Sequence, residues 1–234
     1  MSKYDHIRED AYEGNMLLPE LGLVMFTWGN VSVADHNERV FAIKPSGVPY
    51  KDLSPQNMVI VDFEGKTVEG YLRSSSDTLT HAVLYKHWTE INSIVHTHST
   101  YATSWAQAQS DIPILGTTHA DHVTHDIPCA PPMDDDMIKE NYEYQTGFQI
   151  INELKSRNLK YQELEMILIG NHGPFTWGKS VKEAVYNNSV LESLAKMAYI
   201  TLKINPSSNR MKKSLIDKHY DRKHGTNAYY GQDQ

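Results

Sequence analysis

Apolar positions change their spacing along this chain, and the changes mark out elements. Between residues 4 and 18, Ile7, Ala11, Leu17 and Leu18 stand among charged side chains. That spacing predicts a first amphipathic helix, ended by Pro19, which has no N–H to give and crowds the turn before it. Short β-like stretches follow, with turn residues between them: Val31-Ser-Val33, Val40–Ile43 and Met58–Asp62, the last punctuated by Glu64-Gly65. Ser76-Asp77 opens a helical stretch that carries Val83, Leu84 and Trp88, Ile91 to Thr97 reads as a strand, and the Ala- and Gln-rich residues 100–109 read as a helix. Asp134 to Lys155 predicts a long helix, with three aspartates at the end where the helix dipole favours negative charge. Met166–Ile169 is an unbroken apolar run of the kind a buried strand carries. Ser180-Val-Lys-Glu183 has capping-box spacing, and Val190, Leu191, Leu194, Ala195, Ala198 and Leu202 then form one stripe at helical period. The polar, charged tail Met211–Gln234 reads as a solvated or frayed end.

The chain has 234 residues, enough to bury a core without disulfide support. Neither a repeat nor a Ser/Gly/Pro-rich linker divides it, so one domain over residues 1–234 is expected. Cys129, the single cysteine, excludes an intramolecular bridge. Lys plus Arg number 22 and Asp plus Glu 29, giving a net charge of −7, which argues against general nucleic-acid binding. No apolar signal-peptide core opens the chain, and no apolar run approaches the ~18 residues of a membrane span. A cytoplasmic protein without membrane or nucleic-acid partners is the expectation. The one departure from an ordinary composition is its 12 histidines.

His96-Thr97-His98 follows the apolar run Ile91–Val95. Residues i and i+2 of a strand point to one face, so both imidazoles can converge on one ion, although two independent surface histidines at a strand end would give the same spacing. His172 stands just after the second apolar strand, in Gly170-Asn-His-Gly-Pro-Phe175, where glycines permit unusual backbone angles. Two strand ends side by side would supply three imidazoles, and three nitrogen ligands with an open position form a catalytic zinc pattern. Asp77 is a candidate fourth ligand or acid–base partner, with helix N-cap as its alternative role. A second cluster, His119-Ala-Asp121-His122-Val-Thr-His125, gathers proton- or metal-binding groups, and is equally consistent with a polar loop. Trp28-Gly-Asn30, Lys44-Pro-Ser-Gly47 and Ser74-Ser-Ser76 combine small residues, hydroxyls and amides. Backbone N–H groups near Gly47 and Ser76, with the charge of Lys44, suit a phosphate, and each stretch also reads as an ordinary turn. None is a Walker loop or a dinucleotide fingerprint.

Taken together the motifs resemble the class II aldolase family, in its pentulose-phosphate 4-epimerase branch. The resemblance is carried by Thr27-Trp-Gly-Asn-Val-Ser32, Ile43-Lys-Pro-Ser-Gly-Val48, Ser74-Ser-Ser-Asp-Thr78 with Thr80-His81, Ile94-Val-His-Thr-His-Ser99, Gly116-Thr-Thr-His-Ala-Asp121, Ile127-Pro-Cys129, His172-Gly-Pro-Phe-Thr-Trp-Gly-Lys179 and Asp217-Lys-His-Tyr-Asp-Arg-Lys-His-Gly225 with Ala228-Tyr-Tyr-Gly231. Two positions depart from the pattern: Asn171 stands where serine is expected, and His122 where an aromatic residue is. The resemblance implies an α/β fold with a central, largely antiparallel sheet flanked by helices. It implies a homotetramer with active sites between subunits. It implies Zn2+, one per subunit, on His96, His98 and His172 with Asp77 close by or coordinating. Gly29, Asn30, Lys44, Ser46, Gly47, Ser75 and Ser76 correspond to contacts with a sugar phosphate, and Asp121 and Tyr230 to the acid–base pair. Thr117, Glu143, His219 and Arg222 match positions around the pocket. The activity implied is interconversion of L-ribulose 5-phosphate and D-xylulose 5-phosphate at C4 by retro-aldol and aldol steps. An aldolase acting on a related ketose phosphate is the alternative, and the family's aldolase branch carries glutamate where this chain has Asp77. A non-catalytic interaction module, like the adducin head, would have lost the metal histidines, and all three are here.

Overall fold

The computed structural model describes residues 2–226 and 228–229. In chain order the elements are α1 (Asp5–Glu20), β1 (Asn30–Asp35), β2 (Val40–Ile43), β3 (Val59–Asp62), β4 (Thr67–Glu69), α2 (Thr78–His87), β5 (Ser93–His96), α3 (Thr100–Gln107), α4 (Thr117–Ala120), β6 (Cys129–Ala130), α5 (Asp135–Ser156), β7 (Met166–Ile169), β8 (Pro174–Gly178), α6 (Val181–Ile204) and α7 (Lys213–His224). The strands form one sheet in the order β4-β3-β2-β1-β5-β8-β7-β6. Every pairing is antiparallel except that of β6 with β7. This is the α/β architecture expected, a central mixed sheet flanked by helices.

Alternation along the strands splits the core in two, because successive side chains of a strand face opposite sides. Val31, Val33, Val40, Ala42, Met58, Ile60 and Val95 pack under α1 with Ala184 and Val185 of α6. Phe41, Ile43, Val59, Val61 and Ile94 face the other way, against buried residues of α2, α3, α5 and the later part of α6. The α6 stripe is confirmed: Leu191, Leu194, Ala195 and Ala198 are buried, and the Ser180 hydroxyl accepts from the Glu183 amide as the cap spacing predicts. No helix among the described residues is long and apolar enough to cross a membrane.

Three expectations need correction. Pro19 does not end α1, which runs on to Glu20. A proline in the last turn forfeits one hydrogen bond only, and the chain closes immediately afterwards with Leu21 N donating to Leu17 O and Gly22 N to Pro19 O. The tail is not simply frayed: residues 213–224 form α7, although none of them is buried. Third, α5 is not one continuous helix, since Asn141 interrupts it with extended angles (φ −166°, ψ 93°).

The register is what builds the site. Asn30 of β1 is paired with His96 of β5, and His96 with Phe175 of β8. Three central strands therefore bring these side chains abreast at one end of the sheet, where the β7–β8 turn also carries His172.

Candidate active site

His96 is almost fully buried at the end of β5, stacked on Phe175 with ring centroids 4.3 Å apart. Its Nδ1–H donates to the Pro174 carbonyl at 3.0 Å, which leaves the Nε2 lone pair for another partner. Beyond the strand the alternation continues. Thr97 turns inward and its hydroxyl donates to Asn188 at 3.0 Å, while His98 returns to the His96 side, their rings 4.9 Å apart. His172 joins from the β7–β8 turn, 4.6 Å from the His96 ring and 5.3 Å from that of His98. The turn is tight: Asn171 lies at φ +63°, and a Cβ on Gly173 would come within 2.9 Å of the Thr97 carbonyl. Gly29 is constrained likewise, since it sits at φ +78° and a Cβ there would meet the His96 carbonyl at 2.9 Å.

One ligand nitrogen from each of His96, His98 and His172 lies within 4.8 Å of the other two. Burial pushes the His96 and His172 imidazoles down to about 3. Burial also lowers His98, against the opposing pull of Asp77. Neutral imidazoles present lone pairs rather than protons, the state in which they bind a divalent cation. The donor set and its burial therefore fit a metal ion. Among the described residues this is the one grouping of three or more His, Cys, Asp or Glu side chains close enough to share an ion.

The histidines form one wall of a cavity of about 620 Å³. Gly29, Asn30, Lys44, Ser46, Gly47, Ser75, Ser76 and Asp77, all singled out in the sequence, line the rest, together with Thr27, Trp28, Pro45, Tyr142 and Glu143. Asp77 occupies the N-cap position of α2 without capping it. Its carboxylate instead accepts from the Asn30 amide at 2.6 Å and faces the cavity, outside the group formed by the three imidazoles. Lys44 is 2% exposed, and its ammonium donates to the Thr27 carbonyl at 3.2 Å and lies 5.0 Å from the Tyr50 ring centroid. With carbonyls and a ring rather than a carboxylate for partners, burial brings its pKa down to about 8. A buried cation on a cavity wall is a natural anion contact. The Ser46 and Ser75 amides are spent elsewhere, donating to the Arg73 and Lys44 carbonyls and so tying the two loops together.

The second histidine cluster has a different character. Asp121, just after α4, accepts from Arg222 Nε and Nη2 at 2.9 and 2.6 Å and from His219 Nδ1 at 2.9 Å. Its backbone carbonyl accepts from His224 at 3.0 Å. Burial would raise the Asp121 pKa, but the Arg222 and His219 hydrogen bonds outweigh it and hold the group below the usual carboxylate range. His119 donates to the His125 carbonyl, and burial lowers it to about 4. His122 meets the Tyr186 hydroxyl at 2.9 Å. The Asp121 contacts dock α7 onto the end of α4, while His122 reaches α6 through Tyr186. Asp121, Thr117, His219 and Arg222 do not line the histidine cavity, whereas Glu143 does. Tyr230 lies outside the described residues. Tyr142, which no sequence motif singles out, stands on the cavity wall with its hydroxyl 3.2 Å from His172 Nδ1. It stands in Glu140-Asn-Tyr-Glu-Tyr144, a stretch of ordinary helical polarity in which only Glu143 matches a pocket position.

The profile of the Class II Aldolase and Adducin N-terminal domain family matches residues 9–199, and the chain belongs to that family. Its fold is that of an L-fuculose 1-phosphate aldolase (TM-score 0.77, 20% identity, 95% of this chain and 97% of the other). It is similar also to YgbL from Klebsiella pneumoniae (TM-score 0.73, 23% identity, 93% and 99% covered). A further relative is the L-fuculose-1-phosphate aldolase of Thermus thermophilus (TM-score 0.66, 21% identity, 88% and 98% covered).

Proposed function

We propose that this chain is a zinc-dependent epimerase that interconverts L-ribulose 5-phosphate and D-xylulose 5-phosphate at C4. The observation that carries the reading is one cavity with two chemical ends: three neutral imidazoles at one and, at the other, a buried lysine that has no carboxylate partner among the described residues. A phosphorylated ketose has the matching ends.

Carbon 4 is not adjacent to the ketone, so enolisation does not reach its proton. Cleaving the bond between carbons 3 and 4 and remaking it on the other face of the aldehyde inverts that centre without a redox cofactor. His96, His98 and His172 hold the ion, with Asp77 beside them on the wall. The bound ion supplies Lewis acidity for the negative charge that cleavage leaves on the ketone half. Lys44, Ser46, Gly47, Ser75 and Ser76 grip the phosphate, and Gly29 and Asn30 close the wall between that grip and the imidazoles. The grip retains the aldehyde fragment while it turns over, and a protein without it would release two products as an aldolase does. Inversion needs an acid–base group on each face, and Asp121 and Tyr230 take those roles. Asp121 lies away from its own chain's cavity wall, which supports a homotetramer in which a neighbouring subunit completes each site.

The test is direct assay. Zinc-loaded protein given either pentulose 5-phosphate in deuterated water is expected to produce the other, with no deuterium at C4, and chelation is expected to stop it. Deuterium at C4 would refute the cleavage. Cleavage of L-fuculose 1-phosphate with no pentulose interconversion would replace the epimerase by the aldolase reading.

A further inference from the structure

We propose that Tyr142 is a positioning residue of the metal centre, its hydroxyl holding the His172 ring with Nε2 left for the ion. The inference rests on the metal-binding part of the function proposed above.

Two of the three imidazoles have a partner on Nδ1, and the partners differ in kind. His96 Nδ1 donates to a backbone carbonyl of β8, fixed by the sheet itself. His172 Nδ1 meets the hydroxyl of Tyr142 at 3.2 Å, a side chain from a distant helix. A ring whose Nδ1 proton is taken by an outside acceptor keeps its Nε2 lone pair free and loses its rotational freedom. His172 needs this more than His96, because it sits in a turn and is only partly covered, whereas His96 is 1% exposed in a strand.

The backbone of α5 is arranged to deliver that hydroxyl. Asn141 breaks the helix, and its side-chain oxygen accepts from the Tyr144 amide at 3.3 Å, so the helix starts afresh at Tyr142 with Asn141 in the capping position. The new start is pinned twice: the Thr146 hydroxyl donates to the Tyr142 carbonyl at 2.8 Å, and the Thr80 hydroxyl of α2 donates to the Glu143 carbonyl at 2.6 Å. A break in a long helix, two threonine anchors and a tyrosine aimed at a ligand histidine form one device. Its consequence is that α5 and α2, neither of which supplies a ligand imidazole, set the geometry of the metal centre.

The test is the metal affinity of the full chain, read without substrate by competition against a chelating indicator, for zinc and for cobalt. Tyr142→Phe removes one oxygen and is expected to weaken binding about 10- to 100-fold, the range typical of a lost outer partner of a ligand histidine. The metal-free protein should keep its Tm, and the visible spectrum of the cobalt form should shift. Asn141→Ala should weaken binding in the same direction, and Asn141→Ser, which restores a capping oxygen, should recover it. Unchanged affinity in Tyr142→Phe overturns the proposal, and a fall in turnover at unchanged affinity does too, since the hydroxyl would then be acting on substrate. A metal-free Tm that drops with affinity, without recovery in Asn141→Ser, also overturns it. Wild-type protein that binds zinc but turns over no pentulose phosphate defeats the epimerase reading alone, and the Tyr142→Phe shift still decides this one.

Discussion

Around His96 the histidines are carried by a central strand, its extension and the turn between β7 and β8. Around Asp121 they are carried by a four-residue helix and by α7, which has no buried residue. The first region is shaped by sheet register and by glycines that admit no side chain, so its geometry stands without any charge pairing. The second is assembled on one carboxylate that accepts from Arg222 and His219. The lesson is that similar residue types serve opposite ends. Burial strips protons from His96 and His172 and readies them for a cation, while ionic hydrogen bonds keep Asp121 charged and fasten it to α7, whatever proton that carboxylate also handles in the proposed reaction.

The comparison can be broken most sharply at the strand end. His96→Ala or His98→Ala should abolish stoichiometric metal binding and reduce activity by more than the ~100-fold that loss of an outer-shell partner costs. His87→Ala on α2 should change neither, and equal loss there would show that histidine content rather than this geometry matters. Next in size, Asp121→Asn and Tyr230→Phe should each slow turnover by roughly two to four orders of magnitude while leaving metal content intact. In the homotetramer proposed above, verified mixed assemblies of the two variants should regain activity, and none regained would place both groups in one subunit.

Lys44→Met should raise KM for the phosphorylated substrate about 10- to 100-fold, as loss of one charged hydrogen bond predicts. Because burial lowers Lys44 to about 8, its charge disappears as the pH rises through that value. In the wild type, kcat/KM should therefore decline above about pH 8, and Lys44→Met should lack that limb. The smallest effect belongs to the fastening of α7. Asp121 has a pKa below its ordinary value of 3.8, so its contribution to docking α7 is complete above that value and is lost as the pH falls through the lower folded one. Hydrogen exchange should show α7 losing protection over that acid range before the central strands do, and simultaneous loss would mean that α7 is held by something else.

Much of the first region was legible because period-2 alternation is a strong physical constraint. His96 and His98 follow from it even though the strand ends at His96, and the glycines flanking His172 announced a turn, although its left-handed residue is Asn171 and Gly170 and Gly173 serve by leaving room for the Ala130 and Thr97 carbonyls. Asp77 was legible as a residue and ambiguous as a role, since the N-cap position and the cavity wall are one place in the chain and only the Asn30 bond decides between them. Tyr142 was hidden because its position depends on an interruption at Asn141, and asparagine inside a charged helical stretch is ordinary by composition. Strand β8 was hidden too: Pro174-Phe-Thr-Trp-Gly178 lacks clean alternation because it is buried along its whole length. The α7 helix escaped a reading based on apolar periodicity because its apolar residues are few and none is buried, and hydrogen bonds from His219 and Arg222 to Asp121 tie it down.

The sheet has a consequence for how copies of this chain can meet. At one margin β6 is two residues long, and at the other β4 is three, its Glu69 engaged by Arg8 of α1. Among the described residues, neither margin offers a long row of unsatisfied amides and carbonyls to a neighbouring molecule. Runaway polymerisation by strand addition is thereby discouraged, and any closed assembly must be stitched through helices and loops, where individual side chains dictate the geometry and the number of copies.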